Sequence, residues 1–305
     1  MDKQRRRLLR LGLLGGGSLL GWRVLAQAGK LAEAADPDIY RRMVDKIRDL
    51  FEKKHPPGAF DWLASHDEKG QSFAQYLKSN PNRPTAQRTR LYLQPIGGFD
   101  AAQEPVLVKL LRFMQLIFGV EVRRLATLDL AKIPASAQRV NRNSRQVQIL
   151  TTHVLEQVLQ PNRPADAVAM LALTPSDLWP GAGWNFVFGQ ASLEQRVGVW
   201  STARLGDPVK DAGVFLRRVL QVAIHETGHM FGIEHCIAYQ CCMNGSNSLD
   251  ESDRTPLAYC PECDAKLGWA CKLEPAKRAR ELTKFAAENQ LAKEAELWGK
   301  IAARL

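Results

Sequence analysis

The sequence predicts an α+β (mixed α/β) fold in which a mixed, twisted sheet packs against helices. Three observations support this prediction. AVAMLALT (167–174) is continuously apolar, as expected of a strand buried on both faces. Segments with helical periodicity alternate along the chain with segments typical of strands. The 305 residues are 45% apolar and 24% charged, which is the composition of a soluble protein with one sizeable core.

Residues 29–90 are predicted to form a helical extension. Asp36 and Pro37 provide an N-cap and a first-turn proline for a helix that extends to about Lys54. HPPGAF ends that helix, and residues 60–78 are predicted to be helical again. The polar stretch 79–90 is predicted to be a linker. The extension comprises residues 29–90, and the sequence leaves open whether residues 37–90 shield a cleft or only enlarge the fold.

From residue 91 onward, strand and helix patterns alternate. Strands are predicted at 91–97, 120–130, 167–174, 184–192 and 196–205, and helices at 104–119, 145–160 and from about 214 to 225. Asp211 is a candidate cap for the last of these helices. We expect residues 91–271 to form the main domain and residues 272–305 a C-terminal helix that packs on it.

The first 28 residues are typical of a targeting segment. A basic start, a short apolar stretch and a small-x-small ending resemble a twin-arginine export signal. The apolar run of residues 11–22 is shorter than the roughly 20 residues that span a bilayer, so we expect no stable membrane span. Export to the periplasm or another extracytoplasmic space is the prediction, and a membrane anchor or a cytoplasmic location is the alternative.

The basic charge of the chain is weak evidence for nucleic-acid binding. The formal net charge is +10, but residues 1–28 alone contribute +5. The remaining charge is spread thinly, so we expect no nucleic-acid partner.

HETGHMFGIEHC (225–236) holds half of the six histidines of the chain. Residues four apart share one face of a helix, so His225 and His229 are expected to point at one metal ion. Gly232 allows a left-handed turn that brings His235 back as a third ligand. Three histidines leave a fourth tetrahedral position for water, as catalytic zinc requires.

Glu226 lies beside these histidines and is the candidate general base. It is positioned to take a proton from a zinc-bound water that attacks a peptide carbonyl, and to pass it to the leaving amine. The sequence therefore predicts a zinc metallopeptidase acting on a peptide or protein substrate. A catalytically inactive, zinc-stabilised peptide-binding protein is the alternative.

All six cysteines lie within 36 residues of one another, between positions 236 and 271. Two pairs separated by a loop suit a closed structural zinc site with four thiolates. The candidate ligands are Cys236, Cys241, Cys260 and Cys263. Cys242 and Cys271 are surplus. Disulfides, which an exported protein could form, remain an alternative.

The run from His225 to Leu267 resembles the archaemetzincins, a branch of the metzincin zinc peptidases, in joining HExxHxxGxxH to Cys-x-Met and Cys-x-x-Cys. The resemblance covers residues 91–271. It implies a metzincin-like zincin fold with an active-site helix and a second, zinc-stabilised C-terminal lobe. It also implies one catalytic and one structural zinc, and a methionine turn formed by Met243.

The resemblance also extends upstream of the metal motif. RVGVWSTARL (196–205) is similar in place to the edge strand that binds extended substrate in this family.

We expect the protein to be a monomer with two zinc ions per chain.

Overall fold

The computed structural model describes residues 35–305, which belong to one compact unit. The export segment predicted for residues 1–28 lies outside the described residues. Among the helices of the described part, none has the length and apolar composition needed to cross a bilayer. The predicted division of the chain at residues 90 and 271 stays a prediction.

The first elements are three helices with an extended segment between the second and the third. They are α1 (Pro37–Ile47), α2 (Trp62–Ser65) and α3 (Phe73–Lys78). Asp36 caps α1 by accepting a hydrogen bond from the Asp38 amide at 2.9 Å. The prediction of continuous helix over 60–78 is wrong. Ser72 begins a new helix with its own capping box, so residues 66–71 run free of helix.

Besides two short 3-10 helices, Leu130–Lys132 and Ala135–Ala137, the main part of the fold contains eight strands and five helices among the described residues. In chain order they are β1 (Arg90–Pro95), α4 (Glu104–Phe118), β2 (Glu121–Arg124), β3 (Gln138–Val140), β4 (Val147–Leu150), α5 (Thr151–His153, Val154–Leu159 and Gln160–Asn162 in succession), β5 (Ala167–Thr174), β6 (Asp177–Trp179), β7 (Gly189–Ser192), β8 (Val197–Ser201), α6 (Ala212–Met230), α7 (Leu249–Asp253) and α8 (Pro261–Cys271).

The C-terminal region forms two helices, α9 (Pro275–Glu288) and α10 (Ala292–Arg304). The prediction of one C-terminal helix is therefore wrong in number. The chain turns between them at Gln290, whose φ of 59° is left-handed. Both helices contribute buried side chains, Phe285 and Trp298 among them, to the main core, so the predicted packing of the C-terminal region on the main domain is correct.

The strands form two sheets. The larger has the order β2-β1-β5-β8-β7, in which only the β7–β8 pair is antiparallel. The smaller has the order β3-β4-β6. The helix predicted over 145–160 is wrong at its start, because residues 147–150 form β4 and the helix begins at Thr151.

The central strand β5 explains how the core is divided. Leu171 and Leu173 lie in the cluster that includes α4 and α6, whereas Met170 and Ala172 lie in the cluster that includes α5. Since successive residues of a strand point to opposite faces, a strand covered on both sides is apolar throughout. The mixed α/β fold is confirmed.

Candidate active site

Helix α6 presents His225, Glu226 and His229 near its C-terminal end, and ends at Met230. Asp211 stands at the N-cap position of this helix, although its side chain makes no capping bond. Gly232 adopts the expected left-handed conformation, with φ of 79°, and its amide donates to the His229 carbonyl at 2.8 Å. A Cβ at this position would also lie 3.0 Å from the Cβ of Pro81. The turn therefore favours glycine both by conformation and by space.

The structure brings the three predicted histidines together. One ring nitrogen from each of His225, His229 and His235 lies within 4.8 Å of the others. The Nε2 atoms of His225 and His229 are 3.1 Å apart. The ring centroid of His235 lies 5.3 Å from that of His225 and 4.9 Å from that of His229.

Each Nδ1 atom has an acceptor on the side facing away from this cluster. His225 Nδ1 donates to the Cys242 carbonyl and His229 Nδ1 to the Ile233 carbonyl, both at 2.8 Å. Carbonyl oxygens only accept, so Nδ1 carries the proton and Nε2 keeps its lone pair. This arrangement fits a divalent metal ion such as zinc, whose histidine ligands are oriented in this way.

The protonation of the histidines favours the same interpretation. Burial, reinforced by the neighbouring imidazoles, lowers the pKa of His225 well below its usual value. Burial, followed by the effect of His235, lowers the pKa of His229 to about 4. Both rings are therefore neutral at pH 7, which is the form that binds metal.

Glu226 is 7% exposed and lines the same cavity as the three histidines. Burial raises the pKa of its carboxyl to about 8. A divalent cation bound to the adjacent histidines would oppose this shift, because it stabilises a nearby negative charge. The arrangement thus places a proton-accepting carboxylate beside a candidate metal site.

The cavity above the histidines has a volume of about 430 Å³. Its aromatic lining comes from two parts of the chain, the extension before β1 and the segment that leads into β7; these side chains are Trp62, Trp184, Phe186 and Phe188. Gly189, Gln190 and Ala191 of β7 line the cavity as well.

The prediction that RVGVWSTARL forms the substrate-binding edge strand is wrong. This segment forms β8, which is fully buried between β5 and β7. The edge strand next to β8 is β7, and it lies beside the cavity. A run of apolar residues is typical of an interior strand, whereas β7 is short and only half-buried.

Met243 lies directly under the active-site helix. It is fully buried, and a Cβ placed on Gly228 would come within 2.6 Å of its Sδ atom. Gly228 lies between His225 and His229 on α6, so this contact supports the helix where it carries the histidines. The Met243 carbonyl also accepts from the Cys236 amide at 2.8 Å.

The four cysteines chosen from the sequence converge in the structure. Their Sγ atoms all lie within 4.8 Å of one another, and all four side chains are buried; they are Cys236, Cys241, Cys260 and Cys263. The Cys260 and Met243 amides donate to Cys241 Sγ at 3.2 and 3.4 Å. Amides directed at sulfur stabilise thiolates, so the donor set fits a structural zinc site.

The two surplus cysteines are not members of this group of four. Cys242 contributes its backbone carbonyl to His225, and burial raises the pKa of its thiol. Burial likewise raises the pKa of Cys271. All six cysteines lie in the described part of the chain and none forms a disulfide there.

Two residues near the histidines were not identified from the sequence. Glu68 accepts a hydrogen bond from His235 Nδ1 at 2.6 Å, and the Trp62 ring lies edge-on to His235 with ring centroids 5.4 Å apart. Both come from the extension before β1. No local pattern marks them, because the contact joins residues 167 positions apart in the chain.

Comparison with known proteins identifies the family. The model of peptidase family M54 matches residues 131–268. The chain is 32% identical to archaemetzincin-2 of Rattus norvegicus over 296 residues, which covers 86% of this chain and 82% of the relative. It is also 32% identical to archaemetzincin-2 of Homo sapiens, over 76% of this chain and 72% of the relative.

Solved archaemetzincin structures are also similar to this chain. The archaemetzincin structure from Archaeoglobus fulgidus is 30% identical to this chain in sequence, with a TM-score of 0.48. The match covers 58% of this chain and 99% of the solved chain. The archaemetzincin structure from Methanopyrus kandleri is 31% identical to this chain, with a TM-score of 0.49. The match covers 62% of this chain and 99% of the solved chain. Because archaemetzincin-2 is matched at 32% identity over 82% of its length, this chain belongs to the archaemetzincins, peptidase family M54.

Proposed function

We propose that this archaemetzincin is a monomeric zinc metallopeptidase that hydrolyses peptide bonds in its cavity with Glu226 as the general base. Membership of a peptidase family makes the chain a hydrolase. The observation that carries the residue assignment is the convergence of one ring nitrogen from each of three histidines in a cavity that a buried carboxylate also lines.

The proposed catalytic site holds zinc on His225, His229 and His235. Zinc bound there supplies Lewis-acid activation of water and of the substrate carbonyl. The remaining chemistry falls to Glu226, whose carboxylate takes the proton of the attacking water. The same carboxyl then returns that proton to the leaving amine, which departs as a neutral amine.

The proposed substrate position follows from β7. Among residues 35–305 this strand pairs with β8 alone, on one side, which leaves its other side available for backbone hydrogen bonds with an extended peptide. The aromatic lining favours a substrate with an apolar side chain next to the cleaved bond, because burying such a side chain there removes apolar surface from water.

The proposed second zinc is structural and lies on the four converging cysteines. With four thiolates and no position for water, such a site stabilises the fold without taking part in hydrolysis. It would hold the turn that follows His235, since Cys236 is the next residue.

A Glu226→Gln variant tests the proposed role of the carboxylate. Loss of the general base should reduce hydrolysis of a mixed peptide library by about 10²-fold or more, while zinc content stays unchanged. Glu156→Gln, an exposed glutamate on α5, is the matched control and should keep full activity. Unaltered hydrolysis by Glu226→Gln would contradict the proposal.

We also propose that residues 1–28 direct export by the twin-arginine route. The paired Arg5 and Arg6 before an apolar stretch support this proposal. Replacing both with Lys should retain the full chain in the cytoplasm, whereas Arg23→Lys should not. Equal export of both variants, measured by cell fractionation, would contradict it.

A further inference from the structure

The extended segment between α2 and α3 passes beside the third histidine of the site. Glu68 Oε1 lies 2.6 Å from His235 Nδ1, and the same oxygen accepts a hydrogen bond from Trp62 Nε1 at 2.8 Å. Both the imidazole and the carboxylate are largely shielded, with side chains 20% and 24% exposed. Glu68 thus joins His235 to an aromatic wall of the cavity.

The chain is fixed to the rest of the fold on both sides of Glu68. At the start of α2, the Trp62 amide donates to both carboxylate oxygens of the buried Glu251, at 3.0 and 3.1 Å. At the start of α3, Gln71 Nε2 donates to the Gly232 carbonyl at 3.2 Å, and the buried Lys266 ammonium donates to the Gln71 carbonyl. Glu68 therefore lies on a segment anchored on either side.

The Trp62 ring is also held in place by packing against neighbouring residues. A Cβ placed on Gly245 would come within 2.4 Å of the Trp62 ring, so the indole packs against bare backbone. The His66 ring also stacks on the indole, at a centroid distance of 3.6 Å. The indole N–H is thereby directed at Glu68 and orients the carboxylate toward His235.

The three histidines differ in what holds their Nδ1 atoms. His225 and His229 donate to neutral backbone carbonyls, those of Cys242 and Ile233, in the segment that follows the active-site helix. His235 donates to a charged carboxylate from a distant part of the chain. A carboxylate partner fixes the tautomer and raises the basicity of the imidazole more than a carbonyl does.

From this asymmetry we infer that Glu68 is a positioning residue that orients His235 and strengthens its bond to metal. The inference rests on the proposed function in taking His235 as a zinc ligand. It gives the extension before β1 a specific part in the active site, which is to supply the partner of the one histidine that lies beyond the helix.

Three variants separate the charge of Glu68 from its packing. Glu68→Gln keeps an oxygen that can accept from both Trp62 and His235 but removes the charge. Glu68→Ala removes the acceptor altogether. Asp67→Asn removes the charge from the adjacent, exposed carboxylate and is the matched control.

The measurement is the zinc affinity of the histidine site, obtained by competition with a chelating dye. A His225→Ala/His229→Ala variant gives the background from the cysteine site. We expect Glu68→Gln to weaken zinc binding about 10-fold and Glu68→Ala by up to about 100-fold, with Asp67→Asn near the wild type. The visible spectrum of Co(II) in the histidine site should change in the same order, because it reports ligand geometry directly.

Two results would overturn the inference: wild-type zinc affinity in both Glu68 variants, or an equal loss in Asp67→Asn. Thermal unfolding and retention of the cysteine-site metal show whether each variant is folded. Metal affinity is measured without substrate, so a Glu226→Gln enzyme that still cleaved peptides would defeat the proposed catalytic role and leave the result for Glu68 intact.

Discussion

The carboxylate of Glu226 lies directly against the backbone of Gly189, at the start of the edge strand β7. A Cβ placed on Gly189 would come within 2.6 Å of Glu226 Oε1 and 2.7 Å of its Cδ. The proposed base and the proposed substrate-binding strand therefore contact each other without an intervening side chain. The absence of a side chain at position 189 is what gives the carboxylate its place.

Gly189→Ala should impair catalysis more than folding. The added methyl group displaces the Glu226 carboxylate, and a displacement of about 1 Å at a catalytic group costs on the order of 10²-fold in kcat. Zinc content should not change. Gly98→Ala is the matched control, because a Cβ at that position meets nothing within 4 Å. Wild-type kcat in Gly189→Ala would show that this contact does not position the base.

Gly228→Ala should destabilise the protein. The new methyl group meets Met243 Sδ at 2.6 Å and the Tyr259 hydroxyl at 3.2 Å in a fully packed region, so we expect a loss of about 1–3 kcal/mol in the free energy of unfolding. Gly213→Ala, on the same helix but in open space, should change it by less than about 1 kcal/mol. Denaturant titration distinguishes the two, and equal effects would contradict the proposed packing of Met243.

Trp184→Ala should weaken the binding of apolar substrates. The side chain is 53% exposed and lines the cavity, so its removal should cost about 1 kcal/mol, or about fivefold in kcat/KM, with KM taking most of the change. Phe60→Ala is the control, since Phe60 is 90% exposed and does not line the cavity. The measurement uses pairs of peptides that differ only in having an apolar or a charged residue at the cleaved bond. An equal change in kcat/KM for both peptides would exclude an apolar subsite at Trp184.

Metal counting by native mass spectrometry tests the two proposed zinc sites separately. We expect two zinc ions per wild-type chain, and one in the His225→Ala/His229→Ala variant. Cys260→Ala should also lose one ion, because its thiol belongs to the converging group of four. Cys271→Ala should retain both, since Cys271 lies outside that group. A single ion in the wild type would contradict the proposal of two sites.

The sequence predicted which histidines and cysteines converge more accurately than it predicted their surroundings. The histidines of α6 are four positions apart, and helix geometry alone puts them on one face. Gly232 is identifiable for the same local reason, because left-handed backbone favours glycine. The mixed α/β fold could also be predicted, since β5 has the apolar composition of a strand covered on both faces.

What could not be predicted depends on contacts between distant segments. The order of strands in a sheet is set by long-range pairing, so nothing in the apolar pattern of β8 shows that β7 lies outside it. Glu68 lies in a segment with a helical pattern, but Ser72 restarts the helix and leaves that segment extended. Its partner His235 can be identified from the sequence as a candidate ligand, whereas the carboxylate that accepts its hydrogen bond cannot.

The turn between Cys236 and Met243 joins the two proposed metal sites into one assembly. It begins with a cysteine directly after His235, supplies the carbonyl that holds His225, and ends under the active-site helix. The enzyme should therefore bind its metal ions in order, because metal bound by the cysteines fixes the turn that positions the histidines. Oxidation of those thiols would then abolish hydrolysis, although the imidazoles would not be chemically modified.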